Sequence, residues 1–291
     1  MLQGAGKVDG PGAVLITGVS SGIGRAIAQE LAKQGRLVFG TVRRETDRSA
    51  ILGLGLPNLI PLNYDLNERK DLPSLVETVE AELACRGEKG LYALINNAGG
   101  SMVGPIELAD VEELSRQFDA RVAGSIALVQ AFLPSIRRGR GRILWIATPG
   151  TMPTPWVAGI HAADFAVNCV ARTLSLELGR EGPQVILIRC GGIRTRAGMA
   201  TRQTLETCLV EAAPERRERY DSRLAAWLLS MEEFDAKRID AERVADLVSR
   251  VLGALRPKAR FRIGYLAGAA ALLESLPQVL TDRILAARFS K

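Results

Sequence analysis

Apolar residues along the chain fall into two recurring patterns. Short runs rich in Val, Ile and Leu, bounded by Gly, Asn or charged residues, read as strands buried on both faces: Val14–Thr17, Leu37–Val42, Asn58–Leu62, Leu91–Ile95, Arg142–Ala147, Val185–Arg189 and a last run, Arg260–Tyr265. Between them apolar positions recur every three or four residues, the period of a helix with one buried face. These stretches are Arg25–Gln34 (ended by Gly35), Leu72–Leu83, Val111–Ile136, His161–Leu178 and Ala241–Leu255. Leu266–Phe289 reads as an apolar helix pair broken at Pro277. Strand and helix alternate throughout. The pattern predicts an α/β fold, a doubly wound parallel sheet of about seven strands flanked by helices, with its site at the C-terminal ends of the strands. No repeat or linker interrupts it, so 1–291 is expected to form a single domain, with 1–12 a flexible N-terminal tail and 266–291 a C-terminal helical tail.

Composition narrows the partners. A 47% hydrophobic, 24% charged chain is that of an ordinary soluble protein. The net charge is +6, but the arginines are scattered rather than gathered on one element, so no nucleic-acid partner is expected. The longest uncharged stretch, Ile143–Ile160, contains three prolines, so no membrane span is expected. Cys85, Cys169, Cys190 and Cys208 lack metal-ligand spacing, and the chain is long enough to need no disulfides. No metal is expected, and reduced thiols suit a cytoplasmic location.

Gly18-Val-Ser20-Ser21-Gly22-Ile23-Gly24 lies between the first strand and the first helix. Small residues there let backbone N–H groups and a helix N-terminus approach a pyrophosphate. The spacing Thr-Gly-x-x-x-Gly-x-Gly resembles that of the short-chain dehydrogenase/reductase family, and further matches follow in chain order. They are Asp65 in Tyr64-Asp65-Leu66, Asn96-Asn97-Ala98-Gly99, Phe118-Asp119 with Gly124, Gly141-Arg142-Ile143, and Cys190-Gly191-Gly192-Ile193-Arg194-Thr195, where Cys190 replaces a Pro. The tail, from Arg256-Pro257 to Asp282-Arg283, looks like the retinol- and steroid-dehydrogenase side of the family. The resemblance implies a Rossmann-type fold and a dinucleotide held by Gly18, Ser20, Ser21, Gly22, Ile23, Gly24, Asp65, Asn97, Ala98, Gly99, Gly191, Ile193 and Thr195. The second strand ends Val42-Arg43-Arg44 with no acid for ribose hydroxyls. Two guanidiniums suit a 2′-phosphate, which points to NADP(H) over NAD(H).

At the catalytic end the chain departs from the family, which uses Ser, Tyr, Lys and Asn. Counting thirteen positions from Thr148, at the Ser place, puts His161 at the Tyr place and Phe165 at the Lys place, with Arg121 at the Asn place. On this reading Thr148 keeps a hydroxyl, and His161, the chain's one histidine, can move a proton near neutral pH. Arg121 can bind an anionic group or pair with Asp164. Asp164 can orient His161 or flank the pocket, and Phe165 fills the volume of the lost Lys.

The segment 192–235 corresponds to the family's substrate lid. It carries Met199, Tyr220, Trp227, Leu228, Leu229, Met231 and Phe234, which with Met102, Met152 and Trp156 suggest a roomy apolar pocket for a large lipophilic substrate. The helices in 111–136 and 161–178 match the family's dimer helices, so a homodimer or homotetramer is expected. Three functions stay open: an NADP(H)-dependent reductase without the Tyr/Lys pair, a non-redox cyclase, isomerase or dehydratase, and a catalytically inactive cofactor-binding protein.

Overall fold

The computed structural model describes residues 12–99, 103–149, 153–199, 201–210 and 214–289. The nine strands are β1 (Ala13–Thr17), β2 (Val38–Val42), β3 (Leu59–Asn63), β4 (Leu91–Asn96), β5 (Arg142–Ala147), β6 (Gln184–Cys190), β7 (Ile193–Arg194), β8 (Ile239–Asp240) and β9 (Arg260–Ile263). Seven of them form one parallel sheet in the order β3-β2-β1-β4-β5-β6-β9, as the alternating pattern predicted. β7 and β8 pair separately above it.

Burial on both faces accounts for the continuous apolar strands. Val14 and Ile16 of β1 enter one core with Ile27, Leu31, Val244 and Val248. Ala13 and Leu15 enter the other with Phe132, Ile136, Trp145 and Val167. Helix Gly22–Lys33 packs on helix Ala241–Gly253 over the first face, and helices Ser125–Arg138 and Ala158–Leu178 cover the second. The strand order reverses between β1 and β4, and that reversal opens a cleft at the strands' C-terminal ends.

One buried charge is held by backbone alone. Arg142 opens β5 beneath the C-terminus of helix Ala241–Gly253. It donates to the carbonyls of Val251 (2.6 Å), Leu252 (3.0 Å) and Ala254, while its guanidinium lies 5.3 Å from the Tyr92 ring. The Val251 and Ala254 carbonyls at that helix end thereby gain a donor, and Leu252 O also accepts from the Tyr92 hydroxyl at 2.7 Å.

Candidate active site

The Gly-rich turn is built from conformations and clearances that only glycine allows. Gly18 and Gly22 have φ of 72° and 59°. At Gly24 a Cβ would fall 2.3 Å from Gly18 O and 2.4 Å from Asn97 Nδ2. The Asn97 amide explains that crowding: it donates to Thr17 O (2.9 Å) and Gly18 O (3.1 Å), while Thr17 Oγ1 accepts from Asn97 N and Ala98 N at 2.9 Å each. The Asn-Asn-Ala-Gly segment thus props up the turn. Ser20, Ser21 and Ile23 are half-buried along it.

Thr195 faces Gly22 across a narrow groove, 3.3 Å from where a Cβ would stand, and accepts from Gly198 N through its hydroxyl. Gly191 admits no side chain either, because Tyr265 O would lie 2.1 Å from its Cβ, and Ile193 beside it is buried.

At the far end of the groove Arg43 is exposed, and Arg44 grips Asp47 through two bonds of 2.8 and 3.0 Å. The Arg44 guanidinium holds the Asp47 carboxyl below its ordinary range. Asp65 accepts from Asn67 N.

The catalytic end is filled by an ion pair. Helix Val111–Asp119 passes through one π-helical turn, Ala120–Gly124, before continuing as Ser125–Arg138, and the wider turn carries Arg121. Arg121 is buried. It donates through Nε to Asp164 Oδ1 (2.8 Å), its second terminal nitrogen lies 2.7 Å from the same oxygen and also reaches Ile146 O, and its other terminal nitrogen reaches Ala98 O (3.1 Å). Asp164 Oδ2 accepts from Thr148 N at 2.6 Å. All three guanidinium nitrogens and both carboxylate oxygens are therefore engaged. Gly99 lies against this arginine, with a Cβ there only 3.1 Å from Arg121 Cδ. The Thr148 hydroxyl is buried with no hydrogen-bond partner among the described residues. Cys190 is buried near the pair. Its burial, with a further push from the Asp164 carboxylate, raises the thiol pKa to about 12.

The inward face of helix Ala158–Leu178 moves the sequence register by one residue. Asp164 is 4% exposed and Phe165 58% exposed, so Phe165 does not fill the floor of the site. The buried stripe is Ala163, Asp164, Val167 and Ala171. A pair spaced like the family's Tyr and Lys that includes this inward position is Ile160 and Asp164. Ile160 packs against the lid, and His161, one residue on, is half-buried in the first turn. The helical stripe Ala163-Val167-Ala171 was readable in the sequence.

Among the described residues, several lid side chains pack on one another. Trp156, Leu205, Leu209 and Trp227 form a small core with Val103, and Tyr220, Leu228 and Met231 lie against it. Trp156 meets the Tyr220 ring edge-on at 5.6 Å and the Trp227 ring at 6.4 Å. Leu229 faces outward, and Phe234 packs 5.5 Å from Tyr265. Met102, Met152 and the Met199 side chain lie outside the described residues.

The short chain dehydrogenase family profile matches residues 12–206. The chain belongs to the short-chain dehydrogenase family. Among its relatives, the NADPH-dependent 3-dehydrocapnine reductase of Ornithobacterium rhinotracheale is 30% identical over 254 residues, 85% of this chain and 86% of that protein. The 17-beta-hydroxysteroid dehydrogenase type 1 of Mus musculus is 31% identical over 266 residues, covering 86% and 73%. A short-chain dehydrogenase from Streptomyces avermitilis superposes with a TM-score of 0.73 over the whole of both chains at 22% identity, a likeness of fold.

Proposed function

We propose that the protein is an NADP(H)-dependent reductase that passes hydride to a large apolar substrate whose acceptor carbon needs no phenol acid. An iminium ion or an activated alkene is such an acceptor. The observation that carries this reading is the closed Arg121–Asp164 pair, which stands where the family keeps its proton relay.

The nucleotide groove fits such a cofactor. The turn Gly18–Gly24 with Ser20, Ser21 and Ile23 leaves backbone space for a pyrophosphate, Arg43 and Arg44 suit a 2′-phosphate, and Asp65 suits the adenine. Asn97, Ala98, Gly99, Gly191, Ile193 and Thr195 form the walls. The nicotinamide-ribose end is different. With Phe165 at the place of the family's Lys no ammonium stands there, and both oxygens of the neighbouring Asp164 already accept hydrogen bonds, so affinity rests on the adenine end.

Bound NADPH supplies a hydride. Thr148 Oγ1, buried and without a hydrogen-bond partner among the described residues, would donate to a heteroatom of the substrate. An iminium carbon that accepts hydride becomes a neutral amine with no proton required. An activated alkene that accepts hydride leaves an enolate, which takes its proton from water or from His161. A simple ketone leaves an alkoxide on a more basic oxygen, and the engaged Arg121 has no proton to give it. Similarity to the Ornithobacterium 3-dehydrocapnine reductase and to the mouse steroid dehydrogenase supports reduction of a lipophilic molecule.

A second reading, cofactor binding without turnover, is favoured by the mutual packing of the lid aromatics. One experiment tests both. NADPH binding is measured by fluorescence, and single-turnover oxidation is followed with cyclic iminium ions, enones and unactivated ketones. Iminium or enone reduction with inert ketones is expected. Tight NADPH binding without turnover of any acceptor would favour the second reading, and fast reduction of an unactivated ketone would overturn the first.

A further inference from the structure

The lid is attached to the rest of the molecule in two unlike ways. Its root is the parallel pair β7–β8, where Ile193 sits beside Ile239 and Arg194 beside Asp240. Arg194 and Asp240 form an ion pair, Ile239 N donates to Gly192 O at 3.1 Å, and Arg238 donates to Ile193 O (3.1 Å) and Gly198 O (3.4 Å). Ile193 is buried, and Ile239 packs against the same sheet core that holds Val244 and Val248. The chain therefore enters and leaves the lid at one place, and that place is fixed to the body of the fold.

At the far end the polar contacts converge on one carboxylate. Glu107 lies in the single helical turn Ile106–Leu108, in the loop that follows β4. It accepts from the Tyr220 hydroxyl at 2.7 Å and from Arg219 at 3.4 Å, and the Arg216 guanidinium lies 3.7 Å away. The side chains of Glu107, Arg216 and Arg219 are 34%, 55% and 67% exposed, so these ion pairs stand in water and are open to screening by salt.

Beneath these contacts the small core of Val103, Trp156, Leu205, Leu209 and Trp227 shares no residue with the two cores of the sheet. Trp156, in the loop after β5, has a φ of 72°, a left-handed conformation that is costly for a bulky residue. Gly104 N holds it by donating to Trp156 O at 2.7 Å, and its ring meets Tyr220 and Trp227 of the lid. Strain on this loop thus opposes the packing that keeps the lid down.

We propose that Glu107 is the catch of a hinged lid. The lid turns on its β7–β8 root, and Tyr220, Arg216 and Arg219 fasten its far end to the loop after β4. Release uncovers Trp156 and Trp227 and opens a way from solvent to the C-terminal ends of β4 and β5. Glu107 is a positioning residue that acts through the lid, and the inference does not depend on the cofactor or the reaction proposed above.

Hydrogen exchange of the full chain, read by mass spectrometry, tests this. In Glu107→Ala, helices Thr201–Val210 and Asp221–Ala236 and the segment 153–158 should exchange faster together, by roughly ten- to hundredfold, the factor for one lost hydrogen bond to a charged group. Tyr220→Phe keeps its ring against Trp156 and should show about a tenfold rise in the same segments. Residues 238–240 and helix Ala241–Gly253 should keep the wild-type rate in both variants. Salt at about 1 M should speed lid exchange in the wild type and change it little in Glu107→Ala, where the screened ion pairs are already gone. Unchanged lid exchange in Glu107→Ala would overturn the proposal. So would a rise spread evenly over the root and helix Ala241–Gly253, which would make the lid part of the main folding unit.

Discussion

Removing one partner of the Arg121–Asp164 pair is the sharpest test of how the site is built. In Arg121→Met the Asp164 carboxylate keeps the Thr148 N–H but loses its countercharge in a nearly dry position. Breaking a buried pair from one side costs about 3–5 kcal/mol. Two backbone carbonyls, Ala98 O and Ile146 O, also lose a donor, at about 1 kcal/mol each where no water replaces it. Unfolding free energy should therefore fall by roughly 5–7 kcal/mol, and the melting temperature by about 2 °C for each kcal/mol in a chain of this size. Asp164→Leu should cost a similar amount by stranding the guanidinium. The double variant Arg121→Met with Asp164→Leu should cost well under the sum of the two, because no lone charge remains and only the backbone hydrogen bonds are lost. Urea denaturation of the four proteins without cofactor closes the cycle. A single-variant loss below about 1 kcal/mol, or additive singles, would show a hydrated, loosely coupled pair and would refute the claim that it fills the site.

Three other outcomes follow from the same geometry. Arg43→Ala should weaken NADPH by roughly ten- to hundredfold, the loss of a charged hydrogen bond, and leave NADH unchanged by calorimetry; equal effects on both would move the 2′-phosphate elsewhere. Gly24→Ala should abolish nucleotide binding, because the Cβ has no space between Gly18 O and Asn97, and a retained Kd would show that the turn can open. In thiol titration Cys85 and Cys169, which are exposed, should react in the folded protein, while Cys190 reacts only on unfolding. Its raised thiol pKa adds a pH arm. The folded value of about 12 stands above the unfolded value near 9, so the protonated thiol favours the fold below pH 9 and that contribution fades as pH climbs toward 12. Stability rising across that window in the wild type but not in Cys190→Ala would contradict it.

The fold was legible because each sheet strand is an apolar run buried on both faces, and such runs survive any exchange of surface residues. The nucleotide groove was legible for a different reason: Gly18, Gly22 and Gly24 are dictated by backbone geometry, which fixes residue type at fixed spacing. The catalytic end was only half legible. Arg121 and Asp164 were both visible as candidates and their pairing was one of the alternatives, but adjacent residues at the start of a helix gave no sign that Asp164 turns inward and Phe165 outward. The lid is legible only in composition, because Trp156, Tyr220 and Trp227 are as suited to packing on each other as to lining a cavity. Composition does not separate the two.

The reciprocal hold of Arg121 on Asp164 also shapes which sequences can neighbour this one. Exchanging Asp164 for Lys while Arg121 stays would set two cations against each other in a space with a few ångströms of clearance, and exchanging Arg121 for Asn first would strand a carboxylate. Both one-step intermediates sit in a deep trough of stability, while the two-step products need not. A lineage carrying this pair can therefore abandon neither partner alone without a large loss of stability. Its descendants are free to vary the lid and the nucleotide end while these two positions must change together or not at all.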